Sequence, residues 1–275
     1  MEAEITFPEA VMIVLEDVHF TYGAGTASEN HVLRELNLSI GDGEFVTLIG
    51  GNGAGKSSLL NILGGSIHPD GGIIRIDGRD VTDDPAWMRA SRVARVFQNP
   101  QDGICMRLSI EQNMALAHGR GKRHSIFRRA VTGKLRRAIE AKLAALNCGL
   151  ENRLGDQVGR LSGGQQQILS LLMATSQSSK LLLLDEHTSA LDPVMADYVM
   201  ELTAKIVEEN GLTALMITHS MRQALRYGTR VIMMHRGRIA LDFSGQEKKK
   251  LRVCDLLKIF EETSGEEADS ALVLN

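Results

Sequence analysis

Gly50-Gly51-Asn52-Gly53-Ala54-Gly55-Lys56-Ser57 is the stretch on which the reading of this chain turns. It follows Glu44-Phe45-Val46-Thr47-Leu48-Ile49, apolar and β-branched enough to be a buried strand. It precedes Ser58-Leu59-Leu60-Asn61-Ile62-Leu63, whose apolar residues fall at helical spacing and stop at Gly64-Gly65. Strand, glycine-rich turn and helix are the context that the phosphate-binding pattern G-x-x-x-x-G-K-[ST] requires. Glycines let successive backbone N–H groups turn inward to form an anion nest. A helix opening near Lys56 adds its unpaired N–H groups and positive dipole end. Lys56 brings a mobile charge to the β- and γ-phosphates, and the Ser57 hydroxyl can ligate Mg²⁺.

The bulk composition narrows the classes around this loop. The chain has 275 residues, 43% apolar and 24% charged, as soluble globular proteins do. A net charge of −3 argues against a nucleic-acid binder, which would be strongly basic. Cys105, Cys148 and Cys254 are scattered without metal-ligand spacing, so they are expected to be reduced thiols in a cytosolic protein. No apolar run approaches the ~20 residues that span a bilayer. Met1-Glu2-Ala3-Glu4 is acidic and lacks the basic start of a signal peptide. A membrane role would therefore come through a partner.

Patterning places the other elements. Residues 1–10 are expected to be a loose arm, and 11–20 and 32–40 strands, with Tyr22 at the end of the first. Position alone gives Tyr22 a packing role. Turn clusters at 68–72 and at Asp77-Gly78 bound a strand at 72–77, which suggests an antiparallel patch beside the main sheet. Trp87, the single tryptophan, is expected in the core. Residues 92–97 read as a strand running into Gln98, and 104–178 as helix after helix, one of them opened by the capping-box spacing of Ser109 and Gln112. Ile139, Leu143 and Leu146 make an amphipathic stripe. Residues 118–137 carry eight Lys/Arg and no acid, which suits a solvated connection or an anionic membrane face.

Lys180-Leu181-Leu182-Leu183-Leu184-Asp185-Glu186 reads as a strand covered on both faces, as parallel strands are. It is followed by a helix over 193–209, a strand over 212–218 ending at His219, and a closing hairpin across His235-Arg236-Gly237. A short helix at 253–262 and an acidic end complete the chain. Nucleotide hydrolysis needs a carboxylate for the metal, a group to orient or deprotonate water, and donors on the γ-phosphate. Asp185, at a strand's carboxyl end where open α/β sheets bind ligands, suits the Mg²⁺ shell. Glu186, one residue on, suits the general base.

To these the chain adds Leu161-Ser162-Gly163-Gly164-Gln165 opening a helix, Ser189-Ala190-Leu191-Asp192 after the acids, and Thr218-His219 ending a strand. With Gln98 between them, this ordered set resembles the ATP-binding subunit of ABC transporters over residues 14–244. The resemblance implies a P-loop NTPase (RecA-like) α/β core with an antiparallel β subdomain and an inserted α-helical subdomain. An ATPase domain would span 11–245, its core at 11–97 and 180–245 and its helical part at 98–179, with a short helix and tail at 246–275.

It also implies roles. Tyr22 would stack on adenine, and Gly50, Asn52, Gly53, Ala54, Gly55, Lys56, Ser57 and Ser58 would cradle the phosphates of ATP. Ser57, Gln98 and Asp185 would serve Mg²⁺, with Glu186, His219 and Gln98 catalytic. Ser162, Gly163, Gly164 and Gln165 would bind the γ-phosphate held by a second copy in a head-to-tail dimer, and Asp192 would link the two sites. The implied partners are transmembrane permease subunits and, indirectly, a periplasmic or lipoprotein substrate-binding protein, with the chain on the cytoplasmic face of the cell membrane and no nucleic acid involved.

Two positions depart from the family's habit: His187 stands where proline is common, and Gln165-Gln166-Gln167-Ile168 lacks the arginine often found after the signature. The runs Leu171-Leu172-Met173-Ala174, 185–189 and 219–225 resemble bacterial importer ATPases, some assigned to amino acids. A soluble ABC ATPase and an exporter subunit are the alternatives. A GTPase or small-molecule kinase would leave 161–165 unexplained.

Overall fold

The computed structural model describes residues 11–120, 130–146 and 148–264. In chain order its strands are β1 (Val11–Tyr22), β2 (Asn30–Gly41), β3 (Phe45–Ile49), β4 (Gly71–Ile76), β5 (Arg79–Asp80), β6 (Val93–Val96), β7 (Leu181–Asp185), β8 (Thr213–Ile217), β9 (Arg230–His235) and β10 (Arg238–Ser244). The helices are α1 (Lys56–Leu63), α2 (Ala86–Arg89), α3 (Ile110–Gly119), α4 (Gly133–Ala144), α5 (Gly163–Ala174), α6 (Pro193–Glu209), α7 (Met221–Arg226), α8 (Gly245–Lys250) and α9 (Val253–Ser264). No described helix is long and apolar enough to cross a membrane.

Among the described residues one sheet runs β10-β9-β3-β8-β7-β6, parallel throughout except where β10 turns back on β9. A second, antiparallel sheet runs β2-β1-β4-β5. The leucines of β7 show how the layers meet. Leu182 and Leu184 enter the cluster shared with α3, α5 and α6, whereas Leu181 and Leu183 enter the cluster shared with α1 and the antiparallel sheet. All four are fully buried, each worth about 1.5–3 kcal/mol. That alternation is why the run has no polar face. The hairpins β4–β5 and β9–β10 turn on Asp77-Gly78 and Arg236-Gly237, all four residues at positive φ, as tight hairpin turns need.

The helices also follow the sequence. Ser109 caps α3 through a complete capping box with Gln112. Ile139 and Leu143 of α4 are buried, with Leu146 packed beside them. Arg120 at the start of the basic segment donates to the Ala174 carbonyl and Ser179, while 121–129 lie outside the described residues. So do the arm at 1–10 and the acidic end from 265. The helices α2, α7 and α8 carry too short a pattern to be read in advance.

Trp87 corrects an expectation: it is 75% exposed. Arg89 takes the inward face of the one-turn α2 instead. Its buried guanidinium donates to the carbonyls of Ile62, Leu63, Val81, Thr82 and Asp84. A residue two places earlier on a helix then faces outward.

Candidate active site

Strand register decides what meets what. Ile217 of β8 pairs with both Leu48 of β3 and Asp185 of β7, and Val96 of β6 pairs with Leu184. The carboxyl ends of four parallel strands therefore finish level. One or two residues beyond that row lie Gly50, Gln98, Glu186 and His219, the positions singled out from the sequence. Open α/β sheets bind their ligands at this edge.

The loop between β3 and α1 needs its glycines for space. A Cβ at Gly50 would come within 2.4 Å of the Met234 carbonyl oxygen, and one at Gly55, where φ is 100°, within 2.8 Å of Leu33. Lys56 is folded back and buried, its Nζ 2.6 Å from the Gly50 oxygen and 3.0 Å from the Gly51 oxygen. Burial pulls its pKa down, and the negative charges of Glu186 and Asp185 oppose that pull. Tyr22, Asn52, Gly53, Ala54, Gly55, Lys56, Ser57, Ser58, Glu186 and His219 line one open cleft, which also includes Asn30 and Val32. Tyr22 is 44% exposed there, its ring braced edge-on by Phe20 at 4.6 Å. The exposed part of this ring belongs to the cleft lining.

Glu186 is held by its neighbours. Its backbone sits at φ 43°, a conformation uncommon outside glycine, and its N–H donates to the Ile217 carbonyl. Its Oε1 lies 2.6 Å from His219 Nε2, and its Oε2 accepts from Gln98 Nε2 at 3.3 Å. The hydrogen bond from His219 lowers the Glu186 pKa, burial opposes this, and the charges of His219 and Lys56 assist it. Glu186 is thus ionised at neutral pH. Its neighbour His187 is buried with Nε2 3.0 Å from Thr203 Oγ1, and burial pushes its pKa down to about 4, so it packs as a neutral ring.

Asp185 makes a contact that the sequence reading missed. Arg95 of β6 reaches its Oδ2 at 2.7 Å, with only 13% and 14% of the two side chains exposed. The visible signal was one cation inside an otherwise apolar strand. The candidate donors Ser57, Gln98 and Asp185 all offer oxygen, the donor set that Mg²⁺ takes together with phosphate oxygens. They fit a cation of that kind.

The remaining motif lies elsewhere. Ser162 caps α5 through a second capping box with Gln165, whose Oε1 also accepts from Arg153. Ser162 and Gly163 are exposed, and Gly164 is buried against Met195 of α6. Exposed Asp192 caps α6 through the Met195 N–H. Among the described residues, none of 162–165 lines the cleft of Lys56. Within one chain the exposed α5 N-terminus thus lies outside that cleft, with the unpaired N–H groups of a helix start facing solvent.

Known proteins resemble this chain in sequence and fold. Residues 33–189 match the family described as ABC transporter. The chain is 40% identical over 252 residues to the tyrosine transport ATP-binding protein of Clostridioides difficile, covering 91% of this chain and 99% of that one. It is 33% identical to the phosphonates import ATP-binding protein PhnC 3 of Nostoc sp., over 91% and 92% of the two. A dimeric ATP-binding cassette solved in a post-hydrolysis state with ADP and phosphate matches with TM-score 0.72 and 30% identity, over 85% of this chain and 98% of that one.

Proposed function

Because the chain belongs to the ABC transporter family of ATP-binding, ATP-hydrolysing proteins, we propose that it powers a bacterial importer of a small solute such as an amino acid. The observation that carries the hydrolytic part is the convergence of Lys56, Glu186 and His219 on one cleft. The relative named for tyrosine transport, matched over nearly its whole length, supports the amino-acid reading. In this reading 11–97 and 180–245 form the ATPase core, 98–179 the helical part and 246–275 the tail.

The chain's own groups divide the work. Tyr22 stacks on the base. The loop amides and Lys56 take the phosphates, which replace the two carbonyl oxygens that Lys56 now holds. A Mg²⁺ held by Ser57, Gln98 and Asp185 would neutralise phosphate charge. Glu186 orients the attacking water and accepts its proton, and His219, whose Nε2 now serves Glu186, donates to the γ-phosphate. The water-facing α5 N-terminus at Ser162 closes on the γ-phosphate held by a second copy, head to tail.

The same reading assigns the membrane partner a docking groove. Phe97, Gly103, Leu116 and Met173 help line a groove between the β6 edge and the helices α3 and α5, and Leu116 is 56% exposed. A cytosolic helix of a permease subunit fits that groove, which would place the chain on the inner membrane face with a substrate-binding protein acting at a distance. Two measurements test the reading. Purified chain should release phosphate from ATP in preference to GTP, and Lys56→Ala should abolish it. Crosslinks in a complex purified from membranes should join permease segments to residues 98–113. Crosslinks that avoid this stretch, or phosphate release independent of Lys56, would contradict it.

A further inference from the structure

Arg95 is the one charged residue of β6, the edge strand of its sheet, and it lines the groove beside α3 and α5 with only 13% of its side chain exposed. Its strand neighbours Val93, Ala94 and Val96 are buried. Removing a guanidinium and a carboxylate from water costs several kcal/mol per ion, so such a pair is a poor device for stability alone. Its geometry is specific nonetheless. Nη2 meets Asp185 Oδ2 at 2.7 Å, Nη1 meets Asn61 Oδ1 of α1 at 2.7 Å, and the guanidinium carbon lies 4.7 Å over the Phe97 ring. Nε is buried with no hydrogen-bond partner among the described residues, so the side chain is not placed to satisfy itself.

We propose that Arg95 is a positioning residue for the metal carboxylate: it clamps one oxygen of Asp185, braces it on the helix that follows the phosphate loop, and leaves the other oxygen for the cation. The argument rests on the reading of Asp185 as the Mg²⁺ carboxylate. Three contacts fix the planar guanidinium in position and orientation. Asn61 ties it to the helix that begins at Lys56 and Ser57, so Asp185 is held in register with the hydroxyl that would share its cation. Phe97 ties it to the residue before Gln98, another candidate donor. Groups that orient metal ligands in this way typically contribute 10–100-fold to metal affinity or activity. A lysine could make the ion pair but not the two-sided brace.

The test separates positioning from folding by measuring ATP affinity twice, with Mg²⁺ and with a chelator, in the non-hydrolysing Glu186→Gln chain. The ratio of the two is the contribution of the metal. In Arg95→Met that ratio should shrink by roughly 10–100-fold, while affinity in chelator stays at the parent value. Arg95→Lys should restore part of it. Asp185→Asn should lose the ratio, and adding Arg95→Met to it should cost nothing more. An unchanged or increased ratio in Arg95→Met, or an additive loss in the double variant, overturns the assignment. If Arg95→Met does not fold, Asn61→Ala decides: it cuts the brace and keeps the ion pair, and should lower the ratio in the same direction, an unchanged ratio overturning the proposal. A parent chain whose ATP affinity ignores Mg²⁺ would instead contradict the metal role of Asp185 itself, and the Arg95 assignment with it.

Discussion

His219 Nε2 and Glu186 Oε1 lie 2.6 Å apart, although 33 positions separate them in the chain, because β7 and β8 pair in parallel with Asp185 opposite Ile217. The same bond lowers the Glu186 pKa and occupies the nitrogen that a γ-phosphate would claim. Glu186→Gln should therefore keep ATP binding and stall turnover by about 10²–10⁴-fold, the usual contribution of a positioned base. His219→Ala should lower turnover without abolishing binding. Parent-rate hydrolysis by the Glu186 variant in a steady-state phosphate assay would remove Glu186 from that role.

The base pocket makes a separate prediction. The Tyr22 ring is 44% exposed at the cleft and packs at a steep angle against Phe20. Tyr22→Ala should weaken nucleotide binding by about 1–3 kcal/mol, the cost of a lost base–aromatic stack. Tyr22→Phe and Tyr22→Trp should bind normally. Equal affinity for the alanine variant in a calorimetric titration would return Tyr22 to a packing role.

Gly164 offers a third. A Cβ there would come within 2.4 Å of Met195 Cγ and 2.7 Å of its sulfur, between α5 and the helix that Asp192 caps. Overpacking of this kind costs typically about 1–3 kcal/mol. Gly164→Ala should lower thermal stability, and Met195→Ala in the same chain should recover much of the loss. Absence of recovery would mean that the glycine serves something other than this helix contact.

These cases show what the sequence could and could not carry. The phosphate loop was legible because spacing, glycines and flanking periodicity all agreed, and β7 because four leucines leave no polar face. The capping box at Ser109 is local and was readable in the same way, whereas the one at Ser162 was read only as the opening of a helix. Register was not: which strands lie side by side is a long-range choice, so the meeting of Gln98, Glu186 and His219 followed from family resemblance rather than from pattern. Trp87 was misplaced because a one-turn helix has too few residues to show which face is inward, and Arg89 won that face by meeting five carbonyls. Arg95 was visible only as an odd cation in a strand, and its partner sits 90 positions away.

The central claim is that each nucleotide is enclosed by two chains, the loop at Lys56 from one and the exposed α5 N-terminus at Ser162 from the other. Two inactive variants, Lys56→Ala and Ser162→Arg, test it when mixed so that heterodimers form. Both lesions then fall in one composite site, and the other joins an intact Lys56 to an intact Ser162. The account predicts that mixing restores ATP-dependent trapping of nucleotide at one site per heterodimer, whereas neither homodimer traps any. Heterodimers that form and trap nothing, with wild-type monomers trapping nucleotide alone, would contradict it.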